Sequence, residues 1–435
     1  MGSDPCTTSV GAVAEREAYE TQIQRDLRWN FAVNVADGAF FWLALSFAAP
    51  STIMPLYVSH LTDNALLIGL VTAINGAGWY LPQLLTANYV ERMPVKKKLV
   101  INLGLFTERL PFVVMAASVF AFAGSRPDLA LVFFFLTFTW HTLGAGIIAV
   151  AWQDMVAKVI PSRYRGRLLG LANAMGTTTG MLGSAVGAWI LARYPFPTNY
   201  GICVSLLALF ILASWGSLAL TREPPLHSSK PVISLRQYAQ RLPEILRRDR
   251  NFAAYLATRV MTAFAKMGIG FVAVYAVQRW KMSDSQAGLY TTVLLAGETA
   301  AYLGAGALGD KRGHKLVLEL SLILLALAML VSFLAPSPVW MYVGFAAMGT
   351  LIAADILSGI AITMEFSNPE DRPTYIGLAN TVPGLFSAVA PLLGGLIALR
   401  ASYTALFLTA ALLSLATWGV LHWLVREPRH APRAG

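Results

Sequence analysis

A chain of 435 residues that is 56% hydrophobic and only 13% charged, with a mean hydropathy of +0.58, is not a water-soluble globule, which would carry about twice that charged fraction. Its net charge of +10 raises the idea of a nucleic-acid partner, but the bases cluster between long apolar segments, so a membrane topology accounts for them and no nucleic acid is expected. Two distant cysteines (Cys6 and Cys203) exclude a disulfide framework, and six scattered histidines form no set with ligand spacing, so no metal, cofactor or enzymatic nucleophile is expected.

Residues 1–28 hold no apolar core, so no cleaved signal peptide is expected, and they read as a cytoplasmic tail. Six apolar segments of bilayer-spanning length follow, near 30–58, 65–90, 97–122, 129–157, 167–192 and 199–220. A polar linker, 221–250, opens on Glu223-Pro-Pro225 and closes on Arg247-Arg248-Asp249-Arg250, a composition that marks a boundary. Six more segments follow near 252–278, 285–308, 315–335, 338–366, 374–399 and 402–424. The chain thus divides into bundles at 29–220 and 251–427, with a last tail at 428–435. Prolines at 50, 82, 111, 383 and 391 are expected to kink helices rather than end them.

Placing the amino terminus in the cytoplasm and alternating sides puts 25 Lys and Arg inside and five outside, with Arg109, Arg259 and Lys266 within spans. That bias predicts a multi-pass protein of the plasma (cell inner) membrane with both termini cytoplasmic. The halves also repeat one another. Asn30-Phe-Ala32 recurs as Asn251-Phe-Ala253, and Gly170-Leu-Ala-Asn173 recurs as Gly377-Leu-Ala-Asn380, with Arg165 matched by Arg372.

The clearest repeat is a loop. Gly306-Ala-Leu-Gly-Asp310-Lys311-Arg-Gly313-His-Lys315 has a degenerate copy in Ala87-Asn-Tyr-Val-Glu91-Arg92-Met-Pro94-Val-Lys96, and Glu91 to Asp310, Arg92 to Lys311 and Pro94 to Gly313 are each 219 residues apart. Glycines there permit close backbone approach and the bases stay in water. The overlapping Gly304-Ala-Gly306-Ala-Leu-Gly309 fits a dinucleotide-binding pattern. It follows about twenty apolar residues, not a strand, so that reading fails.

Gly306-x-Leu308-x-Asp310-Lys311-x-Gly313-x-Lys315 resembles the loop signature of the major facilitator superfamily, between its second and third helices and often repeated between the eighth and ninth. The first copy departs from it at Asn88 and Pro94. The resemblance implies an all-α fold of twelve transmembrane helices in two pseudo-symmetric six-helix bundles. It also implies secondary transport of a small molecule by alternating access. By helix number it places Asp37, His141, Arg259, Lys266 and Asp355 on cavity-lining helices, as substrate or proton-coupling candidates.

Glu298 lies thirteen residues into the eighth span, about 20 Å and near the midplane. It is expected either to carry a proton or to pair with Lys266, while Arg259 is expected to neutralise Asp37 or Asp355. His141, beside Trp140, reads equally as a packing histidine. Glu108 and Arg109, on the third span, read as peripheral and structural. Asp154 and Glu365 read as cytoplasmic latches beside Arg163, Arg165 and Arg372. Asp310 resembles the loop acid that pairs with nearby bases and a helix terminus across the interface, with Glu91 as its weaker counterpart.

The run Gly176-x-x-x-Gly180-x-x-Gly183-x-x-x-Gly187 suits close helix packing, without the proline of the family's antiporter signature. The arginine usual in the fourth helix of proton-driven drug antiporters is absent as well. The function expected is proton-coupled export of a partly apolar organic solute by a monomer in the lipid bilayer. The alternative is proton-coupled or facilitated uptake of a metabolite, an anion if Arg259 and Lys266 attract it. A non-transport sensor would need a soluble output domain, which the short tails do not supply.

Overall fold

A computed structural model describes residues 5–90, 93–225, 246–366 and 372–430, and among these the chain is helical throughout, with no strand. In the first half, α1 (Pro5–Phe47) and the short α2 (Ile53–Leu61) form the first span. They are separated where Pro50 cannot donate to the helical ladder. The helix α1 begins at Pro5, so the helix runs through the segment expected as a tail, ahead of the membrane-length stretch Tyr19–Phe47. Then come α3 (Ala65–Val90), a π-helical stretch (Leu99–Leu103 and Leu105–Arg109) running into α4 (Leu110–Phe122), α5 (Pro127–Val159), α6 (Ser162–Arg193) and α7 (Thr198–Ala219).

The second half repeats this order. Helix α8 (Arg250–Ala265) passes through a 3₁₀ turn (Lys266–Phe271) into α9 (Val272–Trp280). After it come α10 (Ser285–Arg312), α11 (His314–Leu334), α12 (Trp340–Phe366), α13 (Arg372–Arg400) and α14 (Tyr403–Leu424). Asp249 caps α8 by accepting from Phe252 N at 2.8 Å, and Ser402 caps α14 by accepting from Ala405 N at 3.0 Å.

Ten of the described segments are long and apolar enough to cross a membrane by length and composition. The other two long helices, α6 and α10, fall short of that apolarity because glycine, threonine and terminal charge fill them. They pack on each other. Within the first half α1 packs on α6 and α7, and α5 on α3 and α4. Within the second, α12 packs on α10 and α11, and α14 on α8 and α11.

The halves meet along two seams, α6 with α10 and α3 with α13, which exchange under the internal repeat. Close approach there needs small residues. A Cβ on Gly288 of α10 would sit 2.7 Å from the backbone of Ala188 in α6, and one on Gly395 of α13 would sit 2.8 Å from Ala65 O in α3. Large apolar side chains such as Leu209, Leu303 and Leu412 stay exposed on the outside of the bundle, where acyl chains suit them.

Candidate functional site

Arg259 lies two turns before Lys266, so the two cations leave nearly the same face of the seventh span. Both reach Asp355 on α12. Arg259 Nη1 bonds one carboxylate oxygen, and Lys266 Nζ bonds the other at 2.6 Å. The Asp355 side chain is 8% exposed, against 20% for Arg259 and 29% for Lys266, so the anion is buried while both cations keep access to open space. Gly359, one turn beyond Asp355, makes room for the guanidinium, since a Cβ there would stand 3.3 Å from Arg259 Nη2. Tyr255, one turn before Arg259, donates to Gly359 O at 3.3 Å, and Tyr80 of α3 lies within electrostatic reach from the other half. Of the two acids open to Arg259 in the sequence, the structure therefore selects Asp355.

Glu298 does not meet Lys266. It is 3% exposed, and its Oε2 has no hydrogen-bond partner. It sits where α10 presses on α12, at a crossing made by Gly297 and Gly349; a Cβ on Gly349 would stand 3.0 Å from Glu298 N. The ion pair expected with Lys266 fails because Lys266 is committed to Asp355.

The remaining intramembrane candidates gather inside the first half. Asp37 Oδ1 accepts from Ser214 Oγ of α7 at 2.6 Å, so it faces α7. His141 Nδ1 lies 2.7 Å from Glu108 O and its ring packs 4.1 Å from Phe112, the surroundings of a hydrogen-bonded core histidine. Arg109 is paired with Glu108 and lies within electrostatic reach of Asp37; both members of the pair are buried (3% and 4% exposed), not peripheral. The π-helical stretch is the cause, because a wider turn rotates the residues beyond it away from the 3.6-residue register.

At the linker end, Gly313 alone separates α10 from α11, at φ +99° and ψ 145°, a conformation only glycine adopts without strain. The Asp310 side chain is 79% exposed and stands 3.8 Å from His314 Nε2 in its own half, not at a helix terminus across the interface. Its backbone carbonyl accepts from Arg429 Nη1 at 2.9 Å. Lys311 is exposed, and Gly306 lies against Leu357 of α12. Arg165 donates to the carbonyls of Ile160 (3.0 Å) and Ala157, closing the end of α5. Asp154 pairs with Lys96 at 2.9 Å, in place of the arginines expected beside it, and Glu365 pairs with Arg429 at 2.5 Å. Glu91, Arg92 and the side chain of Arg372 lie outside the described residues, although Arg372 opens α13.

Sequence reasoning passed over a second repeat at this end, Arg222-Glu223-Pro224 and Arg426-Glu427-Pro428. Asn30 donates to Arg222 O at 2.9 Å and accepts from Arg222 N at 2.8 Å; Asn251 does the same to Arg426, at 3.0 and 2.8 Å. Glu223 then accepts from Lys96 N (3.0 Å) and Lys97 N (2.7 Å), while Glu427 accepts from Lys315 N (3.1 Å). Each glutamate thus meets free N–H groups at a helix start, where a negative charge is stabilising. Burial pushes the Glu427 carboxyl above its ordinary range, against the pull of the Lys315 N–H. The 204-residue offset between the two Arg-Glu-Pro runs was the available signal.

Gly313→Ala should cost about 1 to 3 kcal/mol, because an L-residue is strained at that φ and its Cβ would press on Glu427. The measurement is thermal unfolding in detergent. A Gly313→Ala protein as stable as the parent would show that the turn makes no such demand.

At the opposite end, among the described residues, side-chain hydrogen bonds cross between the halves from Thr52 to Thr291 (2.6 Å), His60 to Asp284 (2.7 Å), Ser184 to Thr292 (2.8 Å) and, deeper in, Thr177 to Thr299 (2.7 Å).

Two duplicated helical halves, joined along paired seams and holding paired and unpaired charge inside membrane-length helices, define a polytopic membrane carrier. The sequence profile of the Major Facilitator Superfamily matches residues 37–277 and 255–435, and the chain belongs to that superfamily. Among curated relatives, the multidrug resistance protein MdtL of Shewanella sp. (strain ANA-3) is 28% identical over 145 residues, which is 33% of this chain and 37% of the relative. MdtL of Escherichia coli O139:H28 is 28% identical over 152 residues, or 35% and 39% of the two chains. The chain therefore spans under two fifths of the relatives it matches. Among solved structures, the Escherichia coli xylose transporter XylE in a partially occluded inward-open conformation superposes with a TM-score of 0.64 at 15% identity, covering 93% of this chain and 98% of that one. A POT family transporter in complex with 5-aminolevulinic acid gives 0.68 at 10% identity, with 92% and 96% covered. These establish the shared fold.

Proposed function

We propose that this superfamily transporter exports a small organic solute by alternating access, in exchange for protons. The observation that carries the reading is the Arg259–Asp355–Lys266 cluster, charge held inside membrane-length helices with both cations open to the space beside them. Charge so placed is costly, by about 2.5 to 3.5 kcal/mol per group on insertion scales, and marks a transport pathway unless it is wholly paired. The seams of α6 with α10 and α3 with α13 give the two halves surfaces to rock across. Glu298 supports proton coupling, being a buried carboxyl with an unpartnered oxygen. The partial likeness to multidrug resistance proteins supports export.

Purified protein in proteoliposomes, with and without an imposed pH gradient, tests the reading. Solute should accumulate on the side from which protons leave, and accumulation indifferent to the gradient in both directions would remove proton exchange from the proposal.

Orientation follows from 25 of 30 extramembrane bases lying on one side, which puts both termini and the 221–250 linker in the cytoplasm. In a background lacking Cys6 and Cys203, single cysteines at Ser228 and Ser337 should label from opposite faces of the membrane. Labelling of both from outside intact cells would overturn that topology.

A further inference from the structure

We propose that the transported solute is an organic monoanion, a carboxylate or a sulfonate, whose charged group binds Arg259 and Lys266 by displacing Asp355, the resident counter-ion. This rests on the transporter reading above and assigns its substrate class.

The argument is a charge count. Two cations share one carboxylate, so the empty cluster carries +1. Among the packed neighbours α10 carries one acid at mid-depth, Glu298 at the crossing with α12 beside Gly349, and it counts as neutral because it is buried with Oε2 unpartnered. Helix α3 has no charged residue, α13 has none between Arg372 and Arg400, and α14 has only His422 at its end. On α11 the acid is Glu319, engaged near the linker end by Lys315 at 3.4 Å and by His422 at 3.2 Å. On α12 the second acid, Glu365, pairs with Arg429. A monoanion entering the cluster brings it to zero, a neutral solute leaves it at +1, and an organic cation raises it to +2.

Geometry points the same way. Arg259 and Lys266 have five and three donor hydrogens, Asp355 uses a fraction of them, and no nitrogen of either cation is among the buried unpartnered atoms. With their side chains 20% and 29% exposed, Arg259 and Lys266 keep spare donors within reach of open space. The guanidinium fork and the ammonium already converge on the two oxygens of one carboxylate, which is the arrangement an incoming carboxylate or sulfonate needs.

The experiment uses one apolar body with four head groups: benzoate, benzenesulfonate, benzyl alcohol and benzylammonium. Binding is read as thermal stabilisation of the full-length protein in detergent, then as flux in proteoliposomes. Benzoate or benzenesulfonate should stabilise, with the stronger of the two identifying the anion source, and the alcohol and ammonium should not. Arg259→Gln and Lys266→Gln each leave a neutral ion pair, so both should fold, as checked by gel filtration. Each should weaken anion binding about tenfold to a hundredfold. Arg259→Lys, which keeps the charge and loses the fork, should fall between.

Stabilisation by the alcohol or the ammonium equal to that by the anions overturns the proposal, as does a failure of both anions at several millimolar. Anion binding that both variants abolish, without flux, supports the site and refutes the transport reading. Flux of the ammonium untouched by either variant does the reverse.

Discussion

Asp355→Asn is expected to melt well below the parent, whereas Lys266→Met and Arg259→Gln should melt near it. The asymmetry follows from what each change leaves behind. Removing the carboxylate strands two cations that it holds in the membrane interior, and breaking a buried pair from one side costs about 3 to 5 kcal/mol. The value should lie toward the lower end, since Arg259 and Lys266 are 20% and 29% exposed and water screens part of the repulsion. Removing either cation leaves one acid with one base. The double variant Asp355→Asn/Lys266→Met returns the cluster to the parent's net charge and should recover part of the loss. Irreversible unfolding is usual for such proteins, so the rank order of melting temperatures at one scan rate is the measurement. An Asp355→Asn protein that melts with the parent would falsify the account of Asp355 as the clamp on both cations.

The rank order also bears on what could be read before the structure. Apolar length locates the membrane-length segments, because it depends on composition over twenty residues and tolerates errors of a turn. The 219-residue offset reveals the duplication for the same reason. Side-chain partners depend on rotation about each helix axis, and one irregular turn changes it. Glu108 and Arg109 read as peripheral when a regular helix is assumed. The π-helical turns of Leu99–Leu103 and Leu105–Arg109 bring them into the bundle. Lys266 reads as a partner for Glu298 if the seventh span is one helix. It instead opens a 3₁₀ turn that contains Gly268 and Gly270, and its ammonium reaches Asp355.

The paired amides of Asn30 and Asn251 were legible as a repeat, and their partners as another. Nothing in either run shows that the asparagine closes on the arginine backbone of a segment 192 or 175 residues on. Asp310 shows a further limit. Its motif was plain, but its exposed carboxylate beside His314 reflects one arrangement of the two halves, and a motif carries no information about which arrangement is populated.

Glu298→Gln should leave a folded protein that still exchanges solute but has lost, by about tenfold or more, its accumulation under a pH gradient. The carboxyl lies at the α10–α12 crossing, 3% exposed, and Oε2 has no partner, so an ionised group there would be a buried charge without compensation. Lys266 cannot supply that compensation while it holds Asp355, which leaves a proton as the counter-charge that can come and go. A neutral amide of the same shape copies the protonated form and cannot release it. Its effect on stability should therefore be small, within about 1 kcal/mol, in contrast to the loss expected at Asp355. The two sites should then separate cleanly, with loss of stability at Asp355 and loss of the pH response at Glu298. A Glu298→Gln protein that accumulates solute under a gradient as the parent does would end the proton role of this residue. Asp37, held by Ser214 and within electrostatic reach of Arg109, would then be the acid to test.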